Sequence, residues 1–339
     1  MQTNITLQDL ATELQRREAT KRDLKCPSPL MQMNEGNLVI NNERFELTQV
    51  GRKQLAQRVG IPVPYFERMW KTSQHKLIDL QVNYWLNTEP ATLTVRTLDG
   101  KARAILGSAY LPIDHYDLVN VAFPNLQELN MQVTALTLTE NKFYLQAVTS
   151  KLEGEVKPGD VVQGGICISN SEIGLGSVAL EEFYMRLVCV NGMVMKDFFR
   201  CKHVTRRASI EEISYQQDTM NADAQALLLT FRDTVSHVLN KANFDKRLAT
   251  MQSAADRQAT KLISEISEVT RKAYSLGSDE TDNFITNLAR GGDMSQWGIA
   301  NALTATAKSV GPDRAYELEK AGADVLEMTP NKFGIFQAH

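Results

Sequence analysis

Cysteine is scarce in this chain of 339 residues: Cys26, Cys167, Cys189 and Cys201 are all there is, and no two form a CxxC pair. So few thiols cannot staple a chain of this length, which excludes a disulfide scaffold and leaves reduced cysteines as the expectation. Cys189, Cys201 and His203 match no standard zinc-ligand spacing. There is no run of about 20 apolar residues, and the N-terminal MQTNITLQDLATELQRR places charges where a signal peptide needs its apolar stretch, so the expectation is a cytoplasmic chain without a membrane partner. No HExxH helix, nucleophile triad signature or phosphate-binding loop is present, and the Gly-rich SNSEIGLGS lacks the lysine and the strand-loop-helix context of such a loop. No cofactor is implied. An excess of basic charge is missing too: the net charge is −3, so polyanion binding has to rest on local patches.

What is present is the composition of a folded protein, 43% hydrophobic and 23% charged. The pattern predicts an α+β fold, with an antiparallel, hairpin-rich N-terminal region over 1–207 followed by an all-helical region over 208–339. A helix is expected over Ile5–Arg22, a hairpin around Asn41-Asn42, a helix over Val50–Val59 ended by Gly60 and Pro62, and another after Pro64. Thr92–Leu106 reads as a hairpin whose Asp99-Gly100 turn supplies the positive φ angles of type I′. That register sets Leu98 opposite Lys101, Arg96 opposite Arg103 and Thr94 opposite Ile105. A helix over Asp114–Asn130 and a hairpin over Gln132–Val148 turning at Glu140-Asn141 follow, with Leu138 meeting Phe143, Leu136 meeting Leu145, and Tyr144 on the other face. Further strands are expected over Asp160–Ser169 and Glu182–Val190, with Cys189 packed as a small apolar residue.

From Ser209, which with Glu212 makes a capping box, the texture is helical. Leu227, Leu228, Phe231, Val235, Val238 and Leu239 form one apolar stripe. A second, running from Leu248 through Met251, Ala255, Ala259, Leu262, Ile266, Val269 and Ala273 to Leu276, has coiled-coil-like spacing and makes a homo-oligomer an expectation.

Several stretches taken in order, FELTQVGRKQLAQRVGIP, ARAILGSAYLPIDHYDLV, ISNSEIGLGS, RLVCVNGMV with the later Lys202-His203 pair, and WGIANALTATA, resemble the phage and plasmid proteins that share a domain of unknown function. The resemblance implies carriage on mobile elements, near genes for replication, recombination or counter-defence, and no settled catalytic activity.

Two constellations point to nucleic acid. Arg96, Lys101 and Arg103 share a face of the first hairpin, and like charges directly opposite call for either a protein carboxylate or a bound phosphate. On that reading Arg96→Ala or Arg103→Ala leaves the fold intact or slightly more stable. The segment Lys196–Arg207 adds Lys196, Arg200, Lys202, His203, Arg206 and Arg207 interleaved with Phe198 and Phe199, the mixture of cations and aromatics that single strands require. Tyr184 and Arg186 join this set if they lie on the face that carries Arg96 and Arg103, and Tyr144 adds a stacking ring if it is exposed. The resulting expectation is a single-strand-binding or annealing protein. Two alternatives stand beside it: a metal-dependent enzyme using Asp114, His115 and His203, for which Tyr110 and Asp117 lie close in sequence, and an interaction protein acting on a host factor. Asp114 also reads as an ordinary helix N-cap.

Overall fold

The computed structural model describes residues 2, 3, 5–203 and 216–338. In chain order the elements are β1 (Gln2–Thr3), α1 (Leu7–Thr20), β2 (Arg22–Pro27), β3 (Met31–Asn34), β4 (Asn37–Ile40), β5 (Glu43–Leu47), α2 (Gln49–Arg58), α3 (Val63–Lys71), α4 (His75–Thr88), β6 (Thr92–Leu98), β7 (Lys101–Gly107), α5 (His115–Glu128), β8 (Gln132–Leu138), β9 (Phe143–Lys157), β10 (Asp160–Asn170), β11 (Val178–Arg186) and β12 (Asn191–Cys201). From there the described chain is helical: α6 (Gln217–Val238), α7 (Lys241–Asp256), α8 (Ile263–Tyr274), α9 (Ser278–Gly291), α10 (Gln296–Thr306), α11 (Pro312–Leu326) and the short α12 (Pro330–Phe333). The protein is α+β, as the pattern predicts.

The strands form two sheets of six. One has the order β2-β6-β7-β5-β4-β3 and is antiparallel except where β5 runs parallel to β7; the other, β1-β8-β9-β10-β11-β12, is antiparallel throughout. The first is covered by α2, α3 and α4 over a core that includes Phe45, Leu55, Phe66, Ile78 and Val95. The second is covered on both faces. Residues of α1, α5 and α6 pack over Leu136, Leu145, Ile166 and Ile168, while residues from α7 to the C-terminal Phe336 share a core with Leu152, Val162, Tyr184 and Met193. The C-terminal helices therefore complete the core of the sheet before them.

The turn signals act as expected. Asn41 and Asn42 have φ of 51° and 65°, Asp99 and Gly100 of 52° and 75°, the positive pairs a two-residue hairpin turn needs. The predicted register of the β6–β7 hairpin is nevertheless corrected. Lys101 does pair with Leu98, but a bulge between Arg96 and Thr97 shifts every pair beyond it, so that Arg96 faces Ala104, Val95 faces Ile105 and Thr94 faces Leu106. Arg103 is the extra residue of the bulge, and the two arginines do not oppose each other. In the β8–β9 hairpin Leu138 meets Phe143 and Leu136 meets Leu145, as predicted.

Other expectations are revised. Lys196, Phe198, Phe199 and Arg200 lie on β12, a strand that the charge-rich sequence conceals. Cys189 falls in the turn between β11 and β12 and is exposed rather than packed. The long apolar stripe is not one seam: α7 stops at Asp256, α8 starts at Ile263, and Leu262 between them is 71% exposed. Met251, Ala255, Ala259, Ile266 and Leu276 are instead buried in the chain's own core. Of the shorter stripe, Leu227, Phe231, Val235 and Val238 are buried in the core shared with the second sheet. Ser209 and Glu212 lie outside the described residues.

Candidate functional site

Arg96 and Arg103 lead into a buried polar network at the junction of the two sheets. Arg96 is fully buried, and its guanidinium is spent inside the protein: Nε and Nη2 donate to Asp23 at 2.7 and 3.1 Å, Nη2 also to Asp114 at 2.6 Å, and Nη1 to the Glu172 carbonyl at 2.8 Å. Arg103 Nη1 donates to Glu172 Oε2 at 2.6 Å, and the other carboxylate oxygen of Glu172 accepts the His115 backbone N–H at 2.7 Å. Lys21, at the end of α1, completes the pairing of Asp114. Three cations thus meet three carboxylates, the arrangement that makes buried charge tolerable.

The loop after β10 supplies Glu172, and the start of α5 supplies Asp114 and His115. Asp114 occupies the N-cap position of α5, but its side chain makes no cap hydrogen bond, because Arg96 and Lys21 take both oxygens. Burial opposes ionisation of Asp114, yet the charges of Arg96 and Lys21 together outweigh it and lower its pKa. Against the same opposition, the His115 backbone N–H and the charges of Arg103 and Arg96 hold Glu172 well below the usual carboxylate range. Tyr110 stacks on His203 with ring centroids 5.3 Å apart and donates through its hydroxyl to the Glu172 carbonyl at 2.9 Å. Burial raises the pKa of that hydroxyl.

Asn170 ties both histidines in. Its amide nitrogen lies 3.0 Å from His115 Nδ1 and donates to the Ile113 carbonyl, while its oxygen lies 2.8 Å from His203 Nε2. An amide N–H donating to Nδ1 fixes His115 as the neutral tautomer with its proton on Nε2. Burial pushes the pKa of each histidine down to about 4, although both ring nitrogens of His203 face acceptors, the second being the Leu111 carbonyl at 3.1 Å.

Asp114, His115, His203 and Tyr110, the residues an enzyme would use, are therefore brought together. Their functional atoms are engaged with one another and with Arg96, Lys21, Asn170 and Glu172. Among the described residues no group of three or more His, Cys, Asp or Glu is arranged to hold a metal ion. The arrangement joins the two sheets through buried, paired charge.

The remaining sequence candidates are dispersed. Lys101 is exposed and pairs with Glu46 at 3.0 Å. Tyr144 is buried, donating to Asp313 at 2.8 Å and lying 5.0 Å from the Tyr316 ring. Arg186 forms a bidentate pair with Asp160, which also accepts the Trp297 indole N–H at 2.9 Å. Arg200 pairs with the buried Glu181, as do Lys320 and Tyr316. Lys202 is exposed beside the buried His203. Lys196 lies on β12, and Arg206 and Arg207 lie outside the described residues. Among the described members of the set, Arg96, Arg103, Arg186 and Arg200 do not make a continuous surface, because each meets a carboxylate of the chain.

Sequence reasoning missed a different surface. Lys53 and Arg58 on α2, Arg68 and Lys71 on α3 and Lys76 on α4 are all exposed, and none has a carboxylate partner among the described residues. The signal was available as spacing: Gln49, Lys53 and Gln57 recur every four residues, opposite the buried Leu55.

Among known proteins, no curated sequence and no solved structure matches this chain. A family described as Domain of unknown function (DUF932) matches residues 107–326, from the last residue of β7 to the last residue of α11. The matched stretch holds Asp114, His115, Asn170, Glu172 and His203, and the unit of β2–β7 with α2–α4 lies ahead of it. With well over half of its length matched, the chain belongs to the DUF932 family.

Proposed function

We propose that this protein binds nucleic acid, and that the unit spanning residues 22–107 does the binding. The observation that carries the reading is a separation of charge. Residues 22–107 contain twelve Lys and Arg against eight Asp and Glu, a net of +4, so the rest of the chain carries −7. The surplus resides on the helical layer, where residues 49–88 hold six basic side chains and two acidic ones. Both acids are engaged: Glu67 with Arg52, and Asp79 with the backbone N–H groups of Glu35 and Gly36. The five exposed cations are thus available to an outside anion, and a local excess of this kind supports polyanion binding on a chain that is acidic overall. The mobile-element setting that the sequence resemblance implies would make use of such binding in replication, recombination or defence.

Binding to labelled DNA and RNA should weaken linearly in log affinity against log salt, with a slope of about −0.9 per phosphate neutralised on a duplex and about −0.7 on a single strand. The double variant Lys53→Glu, Lys76→Glu, which alters two exposed side chains, should bind at least tenfold more weakly with a shallower slope. Unchanged affinity and slope in that variant would refute this assignment of the surface.

A further inference from the structure

We infer that α2 and α3 form a helix-turn-helix, and that α3 enters the major groove of duplex DNA; the inference rests on the reading that this unit binds nucleic acid. Four residues, Val59 to Pro62, separate the two helices, the length of connection such motifs use. The turn is fixed by backbone chemistry. Gly60 has φ of +67°, and a Cβ there would meet nothing within 4 Å, so conformation rather than space demands glycine. The Gly60 N–H donates to the Gln57 carbonyl and the Ile61 N–H to the Ala56 carbonyl at 2.9 Å, the two bonds of a Schellman cap. Pro62 and Pro64 then open α3, where their missing N–H groups cost nothing.

The second helix is seated on the first by Leu55, Ala56, Val59, Ile61, Phe66 and Met69, all buried. Ala56 is fully buried in the core the two helices share with the first sheet, and a larger side chain there would overpack it. This leaves Pro64, Arg68 and Lys71, spaced by four and three residues, exposed along the outer side of α3, with the Arg68 guanidinium 5.4 Å from the Tyr65 ring centroid. Gln57, Arg58 and Lys53 of α2 flank that face. A rigid, outward-facing helix carrying cations fits the major groove of B-form DNA, about 12 Å wide, whereas the major groove of A-form RNA is too narrow to admit it. A single strand calls instead for a platform of exposed aromatic rings; on α3 Tyr65 and Trp70 are half-buried, and the exposed Tyr84 and Trp85 lie on α4, away from the face that carries Arg68 and Lys71. Arg68, near the middle of the face, is placed to read a base edge, and Lys71, one turn further on, to meet a phosphate.

The test uses the full chain and a duplex DNA library of random sequence, with the corresponding single strands and duplex RNA as competitors. Expected is preference for duplex DNA with an enriched sequence. Arg68→Ala should lose about 5- to 100-fold on the enriched sequence and little on random duplex. Lys71→Ala should weaken all duplexes alike and make the salt slope shallower by about 0.9. Circular dichroism is expected to show both variants folded, since both positions are exposed. Binding of duplexes and single strands alike, with no sequence enriched, would overturn groove reading while leaving nucleic-acid binding intact; binding to no nucleic acid would overturn both.

Discussion

Arg96→Met is expected to lower the free energy of unfolding by about 3–5 kcal/mol, the cost of stripping one partner from a buried ion cluster. The same deletion at an exposed cation such as Arg68 should stay within about 0.5 kcal/mol. Arg96 is the hub of its network: one side chain with no exposure satisfies Asp23, Asp114 and the Glu172 carbonyl. Without it, Asp114 keeps Lys21 but loses the charge that most favours its ionisation, and the Glu172 carbonyl loses a buried donor. This reverses the expectation from sequence, in which removal of the arginine relieved repulsion. Denaturant titration reads the result as a lower midpoint at unchanged slope. A loss below about 1 kcal/mol would mean that water takes the place of the guanidinium and hydrates Asp114 as well as the partly exposed Asp23, and the assignment of Arg96 as the hub would be wrong. Coupling offers a second reading: Arg96→Met combined with Asp114→Asn should cost less than the two single changes added together, because each removes the other's orphaned charge.

The reason the hairpin was read correctly and its arginines were not lies in the range of the forces involved. Asp99-Gly100 fixes a turn through the φ angles of two adjacent residues, and that information is local. The bulge at Arg96 is not: Arg103 is displaced while bound to Glu172, which lies 69 residues further along the chain. A pair of cations on neighbouring strands does say that an anion is needed, and the sequence left a protein carboxylate open as one answer. It cannot say that the anion is a glutamate in the glycine-rich loop after β10. Similarly, the stripe from Leu248 to Leu276 has a helical period throughout, but Arg257 to Leu262 breaks it with backbone that pairs elsewhere, Ala259 with Met294 and Thr260 with Phe336. The overlooked surface was legible in principle. Its polar residues follow a strict four-residue spacing on α2, but a search for clusters of cations favours dense runs such as Lys196–Arg207 over cations dispersed along three helices.

Stability should pass through a maximum near pH 6.5 and fall on both sides, with different groups responsible for each limb. Burial holds His115 and His203 to a pKa of about 4, against an ordinary value of 6.5. Between those limits the unfolded chain takes up protons that the native state refuses, so stability is lost on acidification, by about 1.4 kcal/mol per pH unit for each histidine. Glu319 acts in the opposite sense. It lies beneath the N-terminal end of β12, its carboxylate accepts one hydrogen bond among the described residues, from Gln146 at 2.6 Å, and burial pushes its pKa from 4.5 up to about 8. The native state keeps a proton that the unfolded chain has lost, so stability falls as pH rises from 4.5 to about 8. Below 6.5 the two histidines outweigh the one carboxyl group; above it Glu319 acts unopposed and should cost about 2 kcal/mol by pH 8. Glu319→Gln keeps an acceptor for Gln146 and carries no charge, so it should flatten the alkaline limb and leave the variant about 2–4 kcal/mol more stable than the parent at pH 8, with no change at pH 4.5. Chemical denaturation of both proteins across pH 4.5 to 8.5 checks the assignment, and parallel alkaline limbs in parent and variant would show that Glu319 is ionised and hydrated in the native protein.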